Sequence, residues 1–99
     1  MDVKSGNITT ATTTTVFNGP GRILGVSWVQ PYNVAAGTIT LLDSSTTLAV
    51  VDVPRTNDSD DGDSKSVSGS IMFPGRGFRC ETSIVCTNAV TTHVTVYYN

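Results

Sequence analysis

Turn signals divide this chain into short segments rich in β-branched residues, and this alternation is the strongest constraint on its fold. The clearest turns are Asn18-Gly19-Pro20-Gly21 and Pro74-Gly75-Arg76-Gly77, because glycine reaches left-handed backbone and proline fixes φ. Thr and Val fit a half-buried pleated surface and lose side-chain freedom in a helix. No segment shows an apolar period of 3.6 residues. The pattern predicts an all-β fold, a β-sandwich of about eight short antiparallel strands in two packed sheets.

The segment Arg22 to Gln30 is the clearest core strand. A period of two places Leu24, Val26 and Trp28 on one face, which predicts that the tryptophan belongs to the core. The continuously apolar stretch Leu48 to Val53 is predicted to be buried on both faces.

Other strands are predicted from the same alternation. A bulge is expected at Gly69, and the two segments that follow the second Pro-Gly turn are expected to pair as a hairpin. In the last strand, Val94, Val96 and Tyr98 share one face. The predicted segments are Ile8 to Phe17, Thr38 to Asp43, Ser66 to Phe73, Phe78 to Thr82, Ile84 to Thr87 and Thr92 to Tyr98.

The length of 99 residues is that of one domain. Residues 1 to 15 are predicted to form an extended N-terminal arm or first strand, which we expect to add to a sheet edge of a neighbouring protein. Residues 16 to 99 are predicted to form the sandwich. The polar run at 55 to 65 is predicted to be a mobile surface loop.

Charge and hydropathy exclude several partners. The chain has a net charge of −2, and its six basic residues are scattered, whereas nucleic-acid binding requires a dense basic stripe. No apolar run approaches the length of a membrane span. The start MDVKSGN does not resemble a signal peptide. We therefore expect no nucleic acid and no membrane as partners, and synthesis in a cytoplasm without export by the general secretory route.

Cys80 and Cys86 do not have the spacing of a zinc site. The favoured interpretation is two small buried apolar residues in a reducing cytoplasm. The alternative is a bridge between neighbouring strands that forms after release into an oxidising medium.

A search for catalytic and metal-binding patterns finds weak signals only. His93 is the single histidine, and no serine or cysteine lies near it in the sequence. The acidic run Asn57 to Asp63 imitates the first half of a calcium loop. Position twelve of that loop falls on Ser68, where a glutamate is needed. We predict no catalytic, cofactor-binding or metal-binding residues, and a protein that is not an enzyme.

Arg22 and Arg76 each follow a Pro-Gly pair at a junction between a turn and a strand. We interpret the repeated Pro-Gly-Arg as a chance similarity of two turns in an all-β protein, and the alternative is an ancient duplication. Either arginine is placed where it could pair with a carboxylate on a neighbouring chain.

The order of the motifs resembles the short all-β virion proteins of tailed phages, especially phages of cyanobacterial and other aquatic hosts. The resemblance covers most of the chain. The segments that carry it are Val16 to Pro20, Arg22 to Val26, Gly37 to Asp43, Phe73 to Thr82 and Val94 to Tyr98.

The resemblance implies a non-enzymatic capsid decoration protein, also called a cement protein. Such a protein would have a jelly-roll-like sandwich and lie on the capsid surface of the virion. It would bind adjacent copies of the major capsid protein, often as a homotrimer. The acidic loop and the two cysteines have no counterpart in the pattern.

Two other functions remain open. The first is a tail- or neck-associated structural component, in which a small β-domain forms a closed ring. The second is a carbohydrate-binding adhesive module that stacks sugars on aromatic side chains. The residues considered for that stacking are Trp28, Tyr32, Tyr97 and Tyr98.

Overall fold

The computed structural model describes residues 3–31, 34–56, 67–90 and 92–99. Within these residues there is no helix, and therefore none long and apolar enough to cross a membrane. The all-β prediction is confirmed. The strands are β1 (Lys4–Ile8), β2 (Thr13–Phe17), β3 (Gly21–Gln30), β4 (Gly37–Asp43), β5 (Thr46–Val53), β6 (Val67–Met72), β7 (Phe78–Cys80), β8 (Ile84–Asn88) and β9 (His93–Tyr98).

The strands form two antiparallel sheets. The first has the order β1-β9-β3, with β6 and β7 both on the remaining edge of β3, and the second has the order β2-β8-β4-β5. The pairing is nested, since β1 pairs with β9, β2 with β8, β3 with β6 and β7, and β4 with β5. A long hairpin rolled into two sheets has this connectivity, which is that of a jelly roll. The predicted jelly-roll-like β-sandwich is confirmed.

Strands β6 and β7 are two parts of one interrupted strand along β3. Gly25 pairs with Met72 and Ile23 pairs with Phe78, so the residues 73–77 lie opposite the single residue Leu24. The predicted Pro-Gly turn is therefore a loop within one sheet edge. The ninth observed strand arises instead near the N-terminus, where the single predicted strand Ile8 to Phe17 is replaced by β1, which ends at Ile8, and β2, which lies in the other sheet.

The hairpin predicted between Phe78 and Thr87 is wrong. Strand β7 lies in the first sheet and β8 in the second, so the short link between them crosses from one sheet to the other. The backbone N–H groups of Glu81, Thr82 and Ser83 in this link donate to the Asp43 carboxylate at 3.0, 3.1 and 3.3 Å. Asp43 thus satisfies the backbone where sheet pairing stops.

These hydrogen bonds also affect the titration of Asp43. The N–H groups of Glu81 and Thr82 lower its pKa from the ordinary value, against a smaller opposing effect of burial, and Ser83 adds to the lowering. A carboxyl group with a lowered folded-state pKa stabilises the fold above its unfolded pKa, and this contribution is lost as the pH falls through the folded pKa.

We therefore expect Asp43→Asn to lower the free energy of unfolding at pH 7. The variant should also lose less stability than the wild type between about pH 5 and pH 2, where an unperturbed carboxyl group titrates. Urea denaturation across this range measures both effects. An Asn variant with the same pH profile as the wild type would show that Asp43 contributes nothing through its charge.

The core lies between the two sheets. A bulge in the pairing of β3 with β9 falls between Ile23 and Gly25, and it reverses the alternation at Leu24. As a result Ile23 and Val26 are fully buried, and the prediction that Leu24 shares a face with Val26 is wrong. Trp28 packs against the core, as predicted. The core cluster consists of the buried residues Ile8, Ile23, Val26, Ile39, Leu41, Val51, Val53, Cys80, Ile84, Cys86, Val94 and Val96.

Two further details of the predicted strands are corrected. Strand β5 is an edge strand whose Val51 and Val53 are buried, while Val50 is 56% exposed, so it is not buried on both faces. The register of β6 against β3 is continuous from Val67 to Met72, so Gly69 is not a bulge. The predicted common face of β9 is confirmed by the burial of Val94 and Val96.

The N-terminal segment contributes one edge strand to each sheet. Strand β1 pairs with β9, and β2 pairs with β8. Removing residues 1 to 15 would therefore take an edge strand from the first sheet and most of one from the second.

The predicted loop at 55 to 65 lies outside the described residues, except for Arg55 and Thr56. Thr56 is buried, and its hydroxyl accepts from the N–H of Val34 at 2.9 Å. It also donates to the carbonyl of Pro31.

Candidate interaction surfaces

The single histidine, His93, lines an open cavity of the first sheet together with Ser27, Ser68 and Ser70. His93 is exposed on β9, directly opposite Val29 of β3. Among the described residues, no three His, Cys, Asp or Glu side chains come close enough to hold a metal ion. The acidic run Asn57 to Asp63 is outside the described residues.

The two cysteines are buried and free, and both belong to the core cluster. Burial raises the pKa of Cys80 to about 11, helped by the negative charge of Asp43. Burial alone raises the pKa of Cys86 to about 11. Since the thiolate is the reactive form, both side chains behave as small apolar core residues at neutral pH.

The aromatic residues considered for sugar stacking do not share a surface. Trp28 lies on the inner face, where a side chain at Gly69 would meet its ring at 2.6 Å. Tyr98 packs on Phe17 with ring centroids 5.6 Å apart. The hydroxyl group of Tyr97 lies 3.1 Å from the Ser27 hydroxyl. Tyr32 is outside the described residues. The three described aromatic side chains therefore do not form a common platform for stacking a sugar.

The edge strands differ in how they are protected. Strand β1 carries Lys4, β2 has a bulge near its end, and β5 contains a bulge and Asp52 and is followed by Pro54. Charges, bulges and prolines are devices that prevent another strand from pairing with an edge. Strand β6, with the sequence VSGSIM, has none of them. It is the unprotected edge of the described sandwich.

Strand β6 also exposes apolar side chains on both of its faces. Ile71 lies opposite the buried Val26 and faces inward, yet it is 41% exposed. Val67 on the same face is 37% exposed. Met72, on the outer face beside Gly25, is 63% exposed. An edge strand with exposed apolar side chains is a candidate contact surface.

A basic cluster lies at the other end of the same sheet edge. Arg22 of β3 is directly opposite Arg79 of β7. Arg76, in the loop between β6 and β7, lines an open cavity together with Arg22 and Leu24. The sequence identified Arg22 and Arg76 as two separate candidates, and the interrupted strand brings them together.

Comparison with known proteins adds no identity. No family model, no curated protein and no solved structure matches this chain. Strand β6 and the cluster of Arg22, Arg76 and Arg79 are the candidate interaction surfaces of the described sandwich.

Proposed function

We propose that this domain is a non-enzymatic structural protein of a tailed-phage particle, which decorates the capsid and binds adjacent major capsid protein subunits. The sequence resemblance supports this proposal, and it implies assembly as a homotrimer. Function is carried by surfaces and sites, and a fold alone does not decide it. Jelly rolls occur in capsid proteins as well as in lectins.

The observation that carries the proposal is the unprotected edge β6. Its N–H and C=O groups on the side away from β3 can pair with a strand of another protein. The exposed Val67, Ile71 and Met72 would be covered in the same contact. A decoration protein requires such a contact and no catalysis, because modest binding at each site is multiplied by the symmetry of the shell.

The test introduces a charge into this edge. We expect Ile71→Lys to weaken binding of the protein to capsids prepared without it by about tenfold or more, because an inward-pointing charge opposes strand addition. Ile71 is partly exposed, so the domain should stay folded. Cosedimentation with capsids measures the binding.

The matched control is Val50→Lys, which places the same charge on the exposed part of β5 at another edge. It should bind capsids like the wild type. Equal binding by Ile71→Lys and the wild type would exclude β6 as the contact. Binding of the wild type to tails or necks but not to capsids would favour a tail- or neck-associated component.

The carbohydrate-binding alternative has a separate test. Trp28 packs against the core cluster and Gly69, so its fluorescence should be blue-shifted and unaffected by saccharides. Quenching by a glycan of the host surface would favour the adhesive module over the decoration protein.

A further inference from the structure

Three of the six basic residues meet at one end of the first sheet, although the chain has a net charge of −2. Arg22 and Arg79 are direct cross-strand neighbours. Both face outward, because the adjacent residues Ile23 and Cys80 are fully buried. Arg76 approaches from the loop between β6 and β7, on the cavity that it shares with Arg22.

This arrangement works against folding. Like charges directly opposite each other on neighbouring strands are destabilising, so the Arg22 and Arg79 pair reduces the stability of the sheet edge. Arg79 has a weak compensation, since its Nε lies 3.9 Å from a carboxylate oxygen of Glu81. No such ion pair forms at Arg22 or Arg76 within the described part of the chain. An external anion would remove the repulsion.

The cavity combines the two guanidinium groups with an apolar wall. Leu24 lines it because the bulge in β3 reverses the alternation there. Gly75 and Asn99 complete the lining, and the backbone of Asn99 exchanges two hydrogen bonds of 3.0 Å with that of Arg22. Guanidinium groups bind carboxylates through paired hydrogen bonds, so the two arginines of this lining are suited to hold a carboxylate.

We propose that Arg22, Arg76 and Leu24 form a binding site for an acidic segment of a partner protein. An Asp or Glu carboxylate of that segment lies between the two guanidinium groups, and a neighbouring apolar side chain contacts Leu24. The proposal rests on the proposed function, since it names the chemistry of the surface that the partner subunit presents. Nucleic acid is the poorer occupant, because the basic cluster is short and the chain as a whole is acidic.

The test uses the intact protein and two synthetic probes with blocked ends. One is a hexapeptide of alternating glutamate and leucine, and the other has serine in place of glutamate. At low ionic strength the arginine Nε–H signals of Arg22 and Arg76 should shift with the acidic peptide and not with the neutral one.

Variants then locate the site. The double variant Arg22→Gln/Arg76→Gln should raise the dissociation constant of the acidic peptide by about tenfold or more. The control Arg55→Gln removes an exposed arginine beyond the end of β5 in the other sheet, and it should bind like the wild type. If the double variant loses the native Trp28 emission, Arg76→Gln alone replaces it, with an expected rise of about threefold for the loss of one exposed ion pair.

Equal affinity of the arginine variants and the wild type would overturn the proposal. So would tighter binding of a single-stranded oligonucleotide than of the acidic peptide. The outcome is separable from that of the proposed function. If the double variant binds capsids as the wild type does, the arginine site is excluded as a capsid contact and capsid decoration is unaffected. If the wild type binds the acidic peptide but not capsids, the arginine site is supported and capsid decoration is excluded.

Discussion

Replacing Gly77 with alanine will destabilise this domain by about 3 kcal/mol or more, through a left-handed backbone and a steric clash together. Gly77 has φ of +73°, and a Cβ atom there would lie 2.0 Å from the carbonyl oxygen of Ile23. That oxygen belongs to the backbone of β3, so it cannot rotate away as a side chain would. The interrupted strand formed by β6 and β7 would have to separate from β3.

The matched control is Gly75→Ala in the same loop. Gly75 also has a left-handed backbone, with φ of +65°, but a Cβ atom there meets nothing within 4 Å. Its substitution should therefore cost only about 1–2 kcal/mol, the penalty of the left-handed conformation. Urea denaturation of both variants separates the free-energy cost of the steric clash from the cost of the left-handed backbone. Equal losses in the two variants would mean that β7 does not approach β3 as described.

Replacing Leu41 with alanine should reduce the free energy of unfolding by about 2–5 kcal/mol. Leu41 is fully buried on β4, between Cys86 of β8 and Ala49 of β5. Truncation loses the transfer free energy of the side chain and leaves a cavity between the two sheets. In a domain of this size a loss of 1 kcal/mol lowers the melting temperature by about 4–8 °C.

The control for Leu41→Ala is Val50→Ala on β5. Val50 is 56% exposed, so its truncation should change stability by no more than about 0.5 kcal/mol. Thermal unfolding of the two variants beside the wild type provides the comparison. A loss at Val50 as large as that at Leu41 would be inconsistent with the assigned faces of the second sheet.

The strands were predictable because their signals are local. The alternation of Val94 and Val96 and the turns around Gly19 and Gly75 depend on neighbours in the sequence. Which residues of β3 face the core was not predictable, because the bulge that turns Leu24 away from the core arises from the pairing of β3 with β9. The sequence also favoured a hairpin after Phe78, since the link to β8 is short enough for one. The capping of that link by Asp43 is a long-range contact without a local signal.

The candidate surfaces were less predictable than the strands. The sequence VSGSIM predicts a strand but not its position in a sheet. Only the sheet order shows that β6 is an edge strand. The sequence alone indicates that Arg22 and Arg76 are each placed to pair with a carboxylate. Their meeting with each other and with Arg79 depends on the register of β3 against β7. A surface made of residues distant in the sequence becomes visible when the pairing is known.

The copy number of this protein in purified virus particles tests the proposed function most directly. Quantitative mass spectrometry against the major capsid protein would measure it. Capsid decoration predicts hundreds of copies per particle, because each symmetry-related position on the shell offers the same contact. A multiple of six in the tens or fewer would contradict decoration and indicate a neck or tail component, and absence from the particles would exclude a virion protein altogether.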